Sequence, residues 1–396
     1  MKLLYVGMGH PLQEADDCLM WHKLGLDWFS TGYYSQSKQP GDLPYINHTN
    51  DPGLTKLWNN CTGHIAIYDT PGGIIGVKNK TFTSYNQPNL WQFTVEFMSQ
   101  FDIILFNHYT ENLRINWGNI HKLHKPPKII IKTFAMHPIA DEILLKKYRD
   151  HSSQLVWNIR NSPTEYNQYP PNKYAGHDAI IRGSVVRDEH EVSGWRGWKK
   201  EAVTFTNTFN YALPHDNLRR NTYIECKEGS SYPFRLFGAG NKNDVLSSGF
   251  VTHREKLEIL KNARVSLTTG TPGATNTYSF VEAWVMGLPQ VVYGPQLWNS
   301  PCYEPDQLGK HGEDILIANT PEEIVKYINL VMKDDDFALY LSLNSRAKAL
   351  QIYGRDVLAK QWEKFLFETI WNSRYKPPPH IQKQRGSPKH VHCIRK

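Results

Sequence analysis

The chain has 396 residues, 40% of them hydrophobic and 21% charged, with 12 Trp, 21 Tyr and 16 Phe. That length allows two or three domains with separate cores, and so much aromatic surface excludes a wholly disordered chain. Lys and Arg number 45 against 38 Asp and Glu, but seven basic residues and no acidic one lie between Arg374 and Lys396, so the net charge of +7 sits in the tail and the neutral body does not demand a polyphosphate-binding face.

Residues 2–7 are apolar and β-prone, Met8-Gly9-His10-Pro11 is a glycine turn, and residues 14–26 carry helical spacing. Strand, glycine turn and helix open a βαβ unit. Residues 30–62 read as a long loop, His64 to Asp69 as a short strand and residues 89–99 as a helix. Phe101 to His108 and Lys128 to Phe134 are continuous apolar strands, residues 139–149 are helical, and Gln154 to Asn158 is strand-like. Asp178 to Gly183 reads as the last strand of this half. Apolar runs alternating with helices predict a parallel sheet covered on both faces.

Arg187 to Lys200 reads as a linker, after which a second α/β series begins. Ala202 to Thr206 predicts a strand, residues 214–225 a helix, and Phe234 to Gly240 a strand ending in a glycine turn. Thr252-His253-Arg254-Glu255 is a capping box opening a helix to about Ala263. A strand follows at Val265 to Thr269, a loop at Gly270 to Asn276, a helix at Thr277 to Met286 stopped by Gly287 and Pro289, and a strand at Gln290 to Gly294. Helices are predicted over Pro321 to Val331, residues 336–350 and residues 355–371. Beyond Trp371 the prolines and basic residues have no hydrophobic period and predict disorder.

No apolar run approaches the ~20 residues needed to span a bilayer, and Met1 to Gly7 reads as a strand rather than a leader, so a cytoplasmic location is expected. The five cysteines are scattered without a CxxC, which argues against a disulfide framework or a cysteine zinc site. No HxH or HExxH occurs in the body, so no metal is expected.

The loop Gly270 to Asn276 feeds a helix N-terminus, where free amides and the helix dipole favour an anion such as a diphosphate. Glu282, about a turn and a half into that helix, is placed to accept hydrogen bonds from sugar hydroxyls. The run Ser279 to Val292, with Glu282-Ala283, Gly287-Leu288-Pro289 and a Val-rich strand, resembles the donor-site segment of GT-B glycosyltransferases of the family 4 type. The resemblance extends by order of elements over roughly residues 200–372, and over 1–190 by architecture alone. It implies two Rossmann-like domains facing a cleft, with a C-terminal helix crossing back to the first. The expected division is an acceptor-binding domain over 1–190, a nucleotide-sugar-binding domain over 191–354, the crossover helix over 355–373 and the basic tail over 374–396.

In that family the glutamate matching Glu282 holds the nucleotide ribose. Two departures stand out. Retaining members related to glycogen synthase carry a second glutamate eight residues earlier, where this chain has Ala274. The Arg and Lys that grip the diphosphate are replaced by Asn207-Thr208-Phe209-Asn210. Donor binding is therefore expected to rest on Asn207, Arg219, Gly238, Gly240, Lys242, Thr269, Gly273, Thr275, Asn276, Thr277 and Glu282.

On the acceptor side, His10, His108 and His137 each follow a predicted strand and would point to one crevice, where a neutral histidine can act as general base. Asp16 and Asp17 are alternative bases, expected on an exposed helix face. Gly7-Met8-Gly9-His10-Pro11 is not a dinucleotide fingerprint, which disfavours a dehydrogenase. The expected function is transfer of a sugar from a nucleotide-sugar donor to a hydroxyl of a glycan, lipid-linked or small-molecule acceptor. The alternatives are a bacteriophage-type transferase acting on a hydroxylated base of DNA, held through the basic tail, and a non-catalytic protein that binds sugar or nucleic acid.

Overall fold

The computed structural model describes residues 1–7, 11–31, 51–66, 74–76, 90–133, 139–152, 155–168, 170–183, 185, 194–206, 214–238, 241, 244–270, 277–294 and 308–371. The fold is α/β. The first half builds a six-stranded parallel sheet from β1 (Lys2–Val6), β2 (Asp27–Ser30), β6 (Ile103–Asn107), β7 (Lys128–Thr133), β8 (Val156–Arg160) and β9 (Ala179–Ile180), in the order β2-β1-β6-β7-β8-β9. The strand order reverses between β1 and β6. A small antiparallel sheet, β4-β3-β5, joins β3 (Thr62–Ala66), β4 (Ile74–Gly76) and β5 (Leu90–Gln92).

The second half builds a five-stranded parallel sheet from β10 (Lys199–Phe205), β11 (Phe234–Phe237), β12 (Ala263–Thr268), β13 (Gln290–Tyr293) and β14 (Leu316–Ala318), in the order β11-β10-β12-β13-β14. Its reversal lies between β10 and β12. In such sheets ligands bind beyond the carboxyl ends of the strands at the reversal, so each half has one crevice of this kind.

Helices cover both faces of each sheet. In chain order they are α1 (Pro11–Lys23), α2 (Pro52–Trp58), α3 (Val95–Met98), α4 (Glu111–Ile120), α5 (Ile139–His151), α6 (Pro163–Gln168), α7 (Pro214–Gly229), α8 (His253–Asn262), α9 (Tyr278–Met286), α10 (Pro321–Lys333), α11 (Asp335–Tyr353) and α12 (Arg355–Lys364), the last running into a π-helical turn at Phe365–Ile370. The crossover expected from the sequence is present. Leu358, Trp362, Phe365 and Ile370 pack with Leu3, Tyr5, Trp21 and Trp28 of the first half in one apolar layer. Trp21 and Trp362 meet edge to face with centroids 4.6 Å apart, and Lys23 pairs with Asp356. No helix among the described residues is long and apolar enough to cross a membrane.

The structure corrects several local expectations. α1 begins at Pro11 and ends at Lys23, because Asp27–Ser30 leaves the helix to pair with β1. The expected loop 30–62 contains α2, capped by Asp51, whose carboxylate accepts from the amides of Gly53 and Leu54. Residues 89–99 are not one helix: Leu90–Gln92 pairs with β3, and only Val95–Met98 is helical. β14 and α4, absent from the sequence reading, complete the second sheet and one face of the first.

Candidate active site

The helix α9 is enclosed along its whole length after the first turn: Phe280 to Met286 are all buried. Thr277 caps it, its side chain accepting from the amide of Phe280, and Gly287 ends it at a φ of 78°. Helix geometry leaves the amides of Tyr278 and Ser279 without intrahelical acceptors. Glu282 is fully buried on this helix. Its Oε2 lies 2.5 Å from the Lys256 ammonium of α8, and Oε1 lies 3.8 Å from Nδ1 of His253. The same ammonium donates to Ser279 Oγ at 3.0 Å and stands 5.1 Å from the Phe205 ring centroid and 5.7 Å from that of Tyr278. An unpaired buried carboxylate would be costly, and the Lys256 ammonium offsets that cost here.

Around the reversal of the second sheet, short polar residues leave the strand ends. Thr206 follows β10: its hydroxyl accepts from Arg219 Nη2 at 3.0 Å, and its carbonyl accepts from Asn241 Nδ2 at 2.9 Å. Gly238 follows β11, and a Cβ there would lie 1.7 Å from the Thr206 carbonyl oxygen. Only glycine fits, so Gly238 serves a close backbone approach between β10 and β11. Thr269 is buried after β12, and Gly270, with a φ of 77°, turns the chain off the strand.

The reversal of the first sheet is different in charge. Glu14, Asp16 and Asp17 of α1 are all buried, against the expectation of an exposed face for the two aspartates. The reason is that α1 has walls on three sides: its own sheet, α12, and Tyr278 of the second half, whose hydroxyl donates to Asp16 Oδ2 at 2.5 Å. Glu14 presses on the backbone of Gly7, where a Cβ would stand 2.2 Å from its Oε1. Asn107 Nδ2 donates to Tyr5 Oη at 2.7 Å, which donates to Asp17 Oδ2 at 2.7 Å. Burial pushes the Asp17 carboxyl up from its ordinary range, with Lys132 and the Tyr5 hydroxyl pulling it down. Burial also lowers the Lys132 ammonium, which Asp17 counteracts, and this lysine lies 5.4 Å from the Trp362 ring centroid. His108, at the end of β6, is half-buried with a φ of 72°, the single non-glycine residue in the left-handed region among the described residues. Such a conformation is uncommon, though histidine tolerates it better than most residues.

Comparison of the sequence with known protein families and with curated proteins finds no match. Comparison of the fold does. A glycosyltransferase from Rickettsia africae superposes with a TM-score of 0.58 at 9% identity, covering 94% of this chain and 99% of that one. HepE of Anabaena in complex with UDP-glucose superposes with a TM-score of 0.53 at 14% identity, covering 92% and 99%. The fold is GT-B.

Within this GT-B frame, the described candidates fall into two groups. Thr269, Thr277 and Glu282 belong to β12, α9 and the turns that flank them, while Arg219 and Gly238 gather around Thr206 at the end of β10. His108 lies in the other half, at the end of β6. His10, His137, Asn207, Gly240, Lys242, Gly273, Thr275 and Asn276 lie outside the described residues. Sequence reasoning missed Lys256, His253 and Tyr278. Lys256 carried a signal: it stands one turn before buried Leu260 on the core face of α8, and a lysine there requires a buried carboxylate.

Proposed function

We propose that the protein transfers a sugar from a nucleotide-sugar donor to an acceptor hydroxyl. The donor would sit at the strand ends of the second sheet and the acceptor at those of the first. The observation that carries this reading is the buried Lys256–Glu282 pair on two helices flanking β12, within a GT-B fold that spans nearly the whole chain. HepE was solved with UDP-glucose bound, which makes UDP-glucose a rational first probe.

In this reading Glu282 accepts hydrogen bonds from the sugar hydroxyls of the nucleoside, and Lys256 holds it in orientation. The first-turn amides and dipole of α9 stabilise the diphosphate as it leaves. Holding donor and acceptor in one orientation supplies most of the remaining acceleration, and no resident metal is required. On the acceptor side, His108 is the described candidate for receiving the proton of the attacking hydroxyl. Its left-handed backbone holds it at the crevice at some conformational cost, as functional residues often are held.

Calorimetry with UDP, UDP-glucose and the guanosine, adenosine and thymidine counterparts tests the donor assignment. One nucleotide should bind, and Glu282→Gln should weaken it roughly ten- to hundred-fold, the value of a hydrogen bond to a charged group. Unchanged binding in Glu282→Gln would remove Glu282 from the site. Donor hydrolysis unaffected by EDTA is expected. Nucleotide binding with no hydrolysis or transfer would favour a binding protein. A DNA gel shift that disappears on truncation before Arg374 would move the acceptor to DNA.

A further inference from the structure

Tyr278 occupies an unusual place. It is the first residue of α9, directly after the cap Thr277, yet its hydroxyl reaches across to the other half of the molecule. The acceptor is the carboxylate of Asp16, 262 residues away in the chain and almost wholly buried on α1. On the side of the second sheet, the Lys256 ammonium stands over the Tyr278 ring and reaches both Ser279 Oγ and Glu282 Oε2. On the side of the first sheet, Asp16 adjoins Asp17, which accepts from the Tyr5 hydroxyl, itself an acceptor from Asn107. One phenol therefore links the polar cluster at each strand reversal.

We propose that Tyr278 is a positioning residue: its hydrogen bond to Asp16 sets the first turn of α9 against the crevice of the first sheet, and Lys256 ties that position to Glu282. This deepens the donor assignment of α9 made above and rests on it. Two domains in one chain are by default free to move against each other. A short, partly buried hydrogen bond between the Tyr278 hydroxyl and the Asp16 carboxyl shifts such an open–closed equilibrium by up to roughly tenfold. The contact also links closure of the crevice to the hydrogen bonding of a buried carboxyl group. The open form must hydrate Asp16 afresh, and the closed form must bring Tyr278 to it.

The test uses the full chain with Tyr278→Phe, Asp16→Ala, Asp16→Asn and the double Tyr278→Phe/Asp16→Ala. Tyr278→Phe removes one oxygen and keeps the ring under Lys256, so the fold of α9 is retained. Small-angle scattering without nucleotide should show the same increase in radius of gyration for Tyr278→Phe and Asp16→Ala, with no further increase in the double. Asp16→Asn, which keeps an acceptor, should stay close to the unaltered protein. With UDP-glucose as probe, kcat of donor hydrolysis should fall roughly tenfold in Tyr278→Phe while the Kd for UDP changes less than about twofold. A merely structural tyrosine would move both or neither. Scattering of Tyr278→Phe identical to the unaltered protein, or additive effects in the double, would overturn the proposal. If the unaltered protein neither binds nor hydrolyses UDP-glucose, the choice of donor is wrong, and the scattering comparison still decides the contact.

Discussion

The two halves solve one design problem in opposite ways. Each places a helix behind the strand beside its reversal, α1 after β1 and α9 after β12. In the second half that helix is apolar after its first turn and carries one carboxylate, which a lysine from the adjacent helix neutralises. In the first half it carries three buried carboxylates, with Lys132 from β7 facing Asp17 and Tyr278 from the other half serving Asp16. Among the described residues, the second half thus supplies its own counter-charge to Glu282. The first is completed by residues that follow it in the chain, both through Tyr278 and through the aromatic layer of α12. A buried carboxyl at such a crevice can be met within its own half or by a hydroxyl from the other, and the second arrangement joins the halves.

The contrast can be broken by substitution. The largest effects are expected where a buried group loses its counterpart. Lys256→Met leaves the buried Glu282 without its ammonium partner and should cost about 3–5 kcal/mol in urea unfolding, with most of it recovered in Lys256→Met/Glu282→Leu. Failure of the double to recover would mean that Lys256 is not the counter-charge of Glu282. Trp362→Ala should cost a comparable ~3–5 kcal/mol by emptying the layer over Trp21. Its loss should appear first in the hydrogen exchange of β1 and β6, and equal loosening of both sheets would break the contrast. Gly287→Ala should cost about 1 kcal/mol, because the φ of 78° suits glycine and a Cβ would come within 3.1 Å of the Ser342 carbonyl oxygen.

The smallest effect sharpens the contrast by pH. Hydrogen bonds from the Thr252 amide and hydroxyl hold the Glu255 carboxyl below its ordinary value of 4.5. Its folded pKa is depressed, so the stability it contributes is complete above 4.5 and is lost as pH falls through the lower folded value. Glu255→Gln should flatten that part of the profile of Tm against pH, without altering the first half.

The same contrast explains what the sequence could disclose. Residues 252–294 were legible because their signals are local: a capping box at Thr252 and Glu255, a capped helix at Thr277, a left-handed glycine at 287 and a β-branched strand. Glu282 was found by its neighbours in the chain. Its counter-ion was not, since Lys256 is 26 residues away: its place on the core face of α8 calls for a partner but does not say which carboxylate supplies it. In the first half, Leu90–Gln92 was taken into a helix because its β3 partner lies far back in the chain. Asp16 and Asp17 looked exposed because two of the walls that bury α1 come from Tyr278 and from residues 355–370. Periodicity reports which face of a helix is apolar. It does not report how many neighbours arrive later.

The crossover helix also has a consequence for synthesis on the ribosome. β1 and α1 emerge long before α12, yet the layer over Leu3, Tyr5 and Trp21 is closed by Trp362, Phe365 and Ile370. The first half cannot finish folding until α12 and the π-helical turn after it have left the ribosome. Until then it exposes a sticky aromatic seam, and that interval is when a nascent-chain chaperone would have its work to do.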